Sequence, residues 1–271
     1  MERVRKYVLY LCVFYLALVG LSALLAPVVS PYDPTAQHLD SRLAKPGEGP
    51  FPFGTDDLGR DVLSRILYGS RSVFLVGTIT VSVSLTIGTL IGILSGLGNR
   101  FLDNLLMFFV DSLLSFPTIL LALTIVTFLG YGLSQVMLAL GIIFSPVFAR
   151  IVRVETMALK HEGYVEAAHT LGTRWPKIIA HHLLPNIAGK LIVQSAVVFA
   201  SSIVVESSLS YLGLGIQPPN PSWGLMLKDA RNHILTSPYL AVYPGLFLAL
   251  TVLSFTMIGD YLSEKTNPRL G

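Results

Sequence analysis

Six long apolar runs decide what this chain can become. They fall at approximately 7–29, 73–97, 105–129, 134–151, 187–209 and 239–262. Each is long enough to cross a hydrocarbon core about 30 Å thick. In lipid a backbone amide must find its partner within its own segment, so runs of this kind predict helices. The expected fold class is all-α: a polytopic membrane protein with six transmembrane helices.

Charge agrees with that reading. Only 13% of the 271 residues are charged and 52% are hydrophobic, whereas soluble domains carry about 25% charge. The net charge of +3 is scattered between the apolar runs, with no basic block. That pattern points to lipid as the partner and away from nucleic acid. Cys12 is the single cysteine, so the chain has neither an internal disulfide framework nor a cysteine metal site.

The expected organisation follows the runs. Residues 1–6 form a short cytoplasmic N-terminus. Residues 7–29 form a first helix, longer than the ~7–15 residues of a signal core and expected to be retained. Residues 30–72, rich in proline and acid, form an extracytoplasmic loop. Residues 73–262 form a five-helix core with a cytoplasmic loop at 152–186, and residues 263–271 a cytoplasmic C-terminus. With both termini inside, twelve lysines and arginines fall on inner segments and seven on outer ones. Loop bias of that sign sets this orientation.

Within the second run Gly88, Gly92 and Gly96 stand four apart, with Gly77 before them. They are expected to let another helix approach closely, as plain packing. In the loop between the fifth and sixth runs, Trp223 is expected to anchor at the interface.

The polar segment 162–186, "EGYVEAAHTLGTRWPKIIAHHLLPN", cannot cross a membrane. It predicts helix, turn, helix. Gly172 suits a C-terminal cap needing positive φ. Thr173 is placed to cap a second helix, with Pro176 in its first turn. Pro185 is expected to stop that helix near Leu184. Tyr164, Ala168, Leu171 and Trp175 form an apolar stripe, and Ala167, Ala168 and Gly172 a smooth patch. An amphipathic helix lying on the membrane is the physical alternative.

"EAAHTLG", nine residues, then "HLLPN" resembles the cytoplasmic EAA loop of ABC importer permeases, at Glu166, Ala167, Ala168, Gly172, Leu184 and Pro185. Three further segments resemble the peptide/nickel subfamily: "FGTDDLGRDVLSRILYGSRSV" at 53–73, "DSLLSFPTILLAL" at 111–123 and "ESSLSYLGLGIQPPNPSWGLML" at 206–227. The final run, "YPGLFLALTVLSFTMIGDYL", looks like the last span of that subfamily, and the chain ends are similar to its C-type subunit. The resemblance implies the type I ABC importer transmembrane fold. It implies a second homologous permease, two ATP-binding cassette ATPase subunits and an extracytoplasmic substrate-binding protein as partners. It implies that Glu166–Gly172 and Leu184–Pro185 couple to an ATPase, and that the cargo is a di- or oligopeptide, with nickel or a metal chelate as the alternative. The location implied is the cytoplasmic membrane.

Motifs for covalent chemistry are missing. No Walker A pattern occurs, so ATP chemistry would belong to partners. "KHEGYV" has no second histidine four residues after His161, so the zinc-protease helix fails. Met257 stands where an aspartyl intramembrane protease motif has glycine. His181 and His182 are adjacent on a helix and do not share a face, so no metal site and no cofactor is expected. Asp103, Asp111 and Glu206 are carboxylates in or near spans. Such groups face a bundle interior or a polar pathway. Arg100 is the expected partner of Asp103, and Ser112, Ser207 and Ser208 are placed to bond nearby carboxylates. Glu206 and Asp111 are the candidates for a translocation path. A stand-alone proton-coupled transporter using those two acids is the alternative function.

Overall fold

The computed structural model describes residues 2–266; Met1 and 267–271, which hold the end of the expected cytoplasmic C-terminus, lie outside the described residues. Among the described residues no strand is present, and one isolated bridge joins Thr55 to Asp61. The helices are α1 (Glu2–Val29), α2 (Val62–Leu97), α3 (Arg100–Ser115), α4 (Thr118–Leu129), α5 (Leu133–Leu159), α6 (Gly163–Thr170), α7 (Trp175–Ile178), α8 (Leu184–Tyr211), α9 (Trp223–Ala230) and α10 (Tyr239–Thr266). Five segments are long and apolar enough to cross a membrane, and α3 with α4 makes a sixth if that bent pair is one span.

The third expected span is broken. α3 and α4 meet at 102°. Pro117 disfavours helical geometry in the residue before it, and Phe116 is extended at φ −89°, ψ 141°. The second run is likewise only part of its helix. α2 starts at Val62, where the Asp61 carboxylate accepts from the Ser64 amide at 2.7 Å. That cap satisfies one of the free amides of the first turn.

α2 and α5 form the spine. A Cβ on Gly88 would meet the Ser145 carbonyl and Phe148, one on Gly92 the Ala149 carbonyl and Val152, and one on Gly96 Thr156. Gly77 faces a different neighbour, the Phe199 ring of α8. Around the spine Val136, Leu140, Val205 and Leu209 fill one end of the core. Phe148, Val152, Leu183 and Ile187 fill the other. Cys12 is buried in α1. The Tyr15 hydroxyl donates to the Phe247 carbonyl at 2.9 Å and ties α1 to α10. Arg5 and Glu264 pair at 2.5 Å, so the start of α1 and the end of α10 share one side of the bundle.

On the opposite side, residues 30–61 fold down as a cap. The Tyr239 hydroxyl reaches the carbonyls of Ala44 and Thr55 at 2.9 and 3.1 Å. Asp56 pairs with Arg60 at 2.6 Å and Arg65 at 3.5 Å, and Arg60 reaches Asp229 of α9 at 3.6 Å. Burial raises the Asp229 carboxyl above its usual range, against the pull of Arg65 and Arg60. Trp223 is not at an interface. It is fully buried, and its indole N–H donates to the Ile66 carbonyl at 3.1 Å. α9 starts at Trp223 because the Ser222 side chain caps that helix, accepting from Leu225 at 3.1 Å.

Candidate functional site

The polar segment projects from the ends of α2 and α5. The Lys160 ammonium donates to the Gly96 carbonyl at 3.0 Å, which ties the end of α5 to that of α2. Val165 of α6, Ile178 of α7 and Leu183 are buried against this base. The termini of α1 and α10 lie on this same side, since α1 must cross the bundle before the cap and α2 must cross back.

α6 ends as its sequence requires. The Thr173 amide bonds the Ala168 carbonyl at 3.0 Å and the Gly172 amide that of His169 at 2.9 Å. These two bonds close a Schellman turn, and Gly172 takes the left-handed conformation at φ +84°. Thr173 does not cap the next helix; Arg174 occupies that position with no side-chain bond. Pro185 does not end it either. Residues 179–183 make a π turn, in which the Leu184 amide reaches the Ile179 carbonyl, and α8 continues from there. The wider turn carries the chain past a residue that has no N–H to offer.

The six expected coupling residues divide in two. Glu166, Ala167 and Gly172 are exposed and Ala168 is half-buried, all on or next to α6. Leu171 beside them is 86% exposed. No atom lies within 4 Å of where a Gly172 Cβ would stand. Leu184 packs against the core of Phe148 and Ile187, while Pro185 is exposed at the root of α8. The Tyr164 hydroxyl accepts from the Asn186 amide at 2.8 Å, which links the two groups. Small residues around one large exposed leucine make a surface into which a partner can press closely.

The carboxylates separate as well. Asp103 does not pair with Arg100; Arg153 holds it, with Nε and Nη2 at 2.5 and 2.6 Å, and the Ser95 hydroxyl also donates to it. Ser112 and Ser208 bond backbone carbonyls of their own helices. Glu206 is 1% exposed. It accepts from Ser210 at 2.6 Å and Ser207 at 3.3 Å, and the Ser210 oxygen accepts the Ile216 amide at 3.1 Å. Glu206 thus braces the turn that leaves α8. Asp111 is 57% exposed and pairs with Arg150 of α5, itself 56% exposed, at 2.6 Å. Nearby, Lys190 of α8 pairs with Glu155 of α5 at 2.6 Å. Sequence reasoning counted Arg150 and Lys190 only as charges; their signal was a charged residue within helices otherwise long and apolar.

Comparison with known proteins bears on this arrangement. Residues 88–271 match the family model described as binding-protein-dependent transport system inner membrane component. The chain is 38% identical over 262 residues to the dipeptide transport system permease protein DppC of Alkalihalophilus pseudofirmus, covering 94% of this chain and 86% of that one. It is 38% identical over 261 residues to the di/tripeptide permease DppC of Pseudomonas aeruginosa, with the same coverages. It is 36% identical over 266 residues to the glutathione transport system permease protein GsiD of Escherichia coli, covering 98% and 88%. Among solved structures it resembles an inward-facing form of the MetNI methionine ABC transporter, with a TM-score of 0.61 and 18% identity over 75% of this chain and 96% of that one. That likeness establishes the type I ABC importer transmembrane fold. With apolar helices of spanning length and a family match over most of its length, this chain belongs to the binding-protein-dependent inner membrane components, the multi-pass permeases of ABC importers.

Proposed function

We propose that this chain is the permease subunit of a peptide importer, and that α6 and the turn after it are the surface that receives an ATPase. Identity of 38% across 94% of the chain to a dipeptide permease carries the substrate class. In this reading the chain pairs with a second homologous permease, two ATPase subunits and an extracytoplasmic binding protein. Both termini and the α6–α7 segment face the cytoplasm, and the cap 30–61 with α9 faces the binding protein. The chain itself makes and breaks no bonds. ATP closes the ATPase dimer, and the exposed Glu166–Gly172 surface passes that motion to α5 and α8, to which it is rooted. The nucleotide acts by favouring one state of the bundle over the other.

The proton-coupled alternative has less support. Asp103, Asp111 and Glu206 are each occupied, by Arg153, by Arg150 and by two serines. They do not form a chain of open acids. Asp111 on the open face remains our candidate for the path, and Glu206 serves the outer turn.

The test is reconstitution. The chain, its companion permease and the ATPases are placed in proteoliposomes, with binding protein outside and ATP inside. Accumulation of alanyl-alanine that needs both ATP and binding protein supports the reading. Accumulation of nickel alone, or peptide uptake driven by a proton gradient without ATPase, overturns it.

A further inference from the structure

α8 keeps one face open along its length. Lys190, Gln194, Val197, Ser201, Val204, Ser208 and Tyr211 recur every three or four residues, all exposed or half-buried. Such spacing places them on one side of a helix. Two cavities lie along that face. One of about 380 Å³ is bounded by Ile119, Val204, Ser208 and Tyr211. The other, about 490 Å³, lies toward the α6 end and is bounded by Arg150, Val154, Glu155, Lys190, Gln194 and Ser263.

Lipid is a poor occupant for the larger cavity. Arg150, Asp111 and Lys190 each leave more than half of their side chain open. A charge among acyl chains is costly, so charged groups on spanning helices face water, headgroups or protein. The wall of this cavity carries two cations and one carboxylate, and Asp111, just outside it, is the second carboxylate paired with them. Donors are also left over. Arg150 bonds Asp111 through Nη2 alone, and Lys190 bonds Glu155 through a single hydrogen bond. A guanidinium with a free edge and an ammonium with spare hydrogens suit a carboxylate.

We propose that this cavity is a water-filled vestibule on the cargo path, and that Arg150 and Lys190 hold the free carboxylate of a passing peptide there. The cargo class rests on the function proposed above; the aqueous character does not. Unlike Asp103 and Glu206, which are closed by their partners, these cations sit where a ligand can reach them.

The experiment uses the assembled importer in proteoliposomes. In the first arm, Gln194→Cys in a Cys12→Ser background is treated with a membrane-impermeant thiol reagent from the α6 side. Labelling is expected, with Leu253→Cys on the exposed face of α10 as the unlabelled comparison. An unreactive Gln194→Cys means that lipid or a partner helix fills the cavity, and overturns the proposal whatever the importer carries. In the second arm, alanyl-alanine imported per ATP hydrolysed is measured for Arg150→Gln/Lys190→Gln. A fall of about tenfold is expected, comparable to losing one charge-assisted hydrogen bond. Arg150→Lys/Lys190→Arg, which keeps both charges, is expected to recover most of it. A structural defect lowers uptake and hydrolysis together, leaves the ratio unchanged and overturns the carboxylate role. The same fall in wild type on removing anionic lipid from the vesicles assigns the cations to headgroups and also overturns it. Failure of the wild type to import any dipeptide overturns the peptide reading alone, and the labelling arm then decides the vestibule.

Discussion

Arg153 of α5 grips both carboxylate oxygens of Asp103 on α3, with Nε at 2.5 Å and Nη2 at 2.6 Å across 50 residues of sequence. The pair fixes the broken third span to the spine, and Ser95 of α2 joins it. Losing a hydrogen bond to a charged group costs about 1.5–3 kcal/mol. Asp103→Asn and Arg153→Met are each expected to lower the unfolding temperature of the purified complex. Because each single change strands the other member of the pair, the double variant is expected to lose less than the sum of the two. A strictly additive double variant would refute the pairing.

The α2–α5 contact sets a size limit at Gly92. A Cβ there would lie 2.6 Å from the Val152 Cβ, 2.7 Å from the Ala149 carbonyl oxygen and 2.9 Å from the Arg153 amide. Two of those neighbours are backbone and cannot swing away. Overpacking of this kind costs about 1–3 kcal/mol for a small addition. Gly92→Ala is expected to destabilise measurably, and Gly92→Leu to abolish recovery of folded protein. Gly163, whose Cβ position meets nothing within 4 Å, serves as the comparison; Gly163→Ala is expected to fold normally.

Trp223 holds the 30–61 cap and α9 to the bundle through its ring against Gly69 and its bond to Ile66. Truncation of a buried aromatic costs about 3–5 kcal/mol. Trp223→Ala is therefore expected to loosen the cap, measured as faster protease cleavage within 30–61. Fluorescence gives a second check, since Trp175 is more exposed than Trp223. Trp175→Phe is expected to leave a blue-shifted emission, and Trp223→Phe a red-shifted one.

Much of this was legible in the sequence. Apolar runs located the spans because lipid leaves the backbone no other option. Gly172 was readable as a helix cap because few other residues accept positive φ. Other features needed three dimensions. Ser64, Arg65 and Ser70 read as a polar loop, yet they lie in the first turns of α2, where they are buried. The break at Phe116–Pro117 was written in the proline but hidden by apolar residues on both sides. Arg100 was chosen for Asp103 by nearness in sequence, whereas Arg153 reaches it across the helix interface. Trp223 read as an interfacial anchor because sequence alone does not show α9 turning inward.

Two carboxyls outside the spans have opposite pH behaviour. Burial raises Asp229, so its proton is held more tightly in the folded state. Its contribution favours the fold in acid and is lost as pH rises through the folded value. Asp33 is lowered by the Thr35 hydroxyl and amide. Its contribution is present above the usual carboxylate value and is lost as pH falls through the folded one. At about pH 7, Asp229→Asn is thus expected to be more thermostable than wild type and Asp33→Asn less so. The Asp229 difference is expected to shrink toward about pH 4, near the ordinary aspartate pKa, and the Asp33 difference only below it. Thermal unfolding across that range checks both signs.

The ATPase surface gives the last prediction, which turns on separating the shape of Gly172 from its conformation. The space around a Gly172 Cβ is empty, so alanine adds no clash within the chain. At φ +84°, however, any side chain is strained, by about 1–2 kcal/mol. Gly172→Ala is expected to weaken the turn slightly and leave ATPase capture mostly intact. Gly172→Trp carries the same strain and also fills the surface beside Leu171. If an ATPase docks there, Gly172→Trp and Leu171→Asp both lose it on co-purification through this chain, while Gly172→Ala keeps it. If all three variants capture ATPase as wild type does, the exposed face of α6 is not the docking surface. If Gly172→Ala loses it as completely as Gly172→Trp, the turn's conformation matters and the role of the open surface is left to a second variant. Leu171→Asp settles that case, because Leu171 is 86% exposed and its replacement leaves the backbone unstrained.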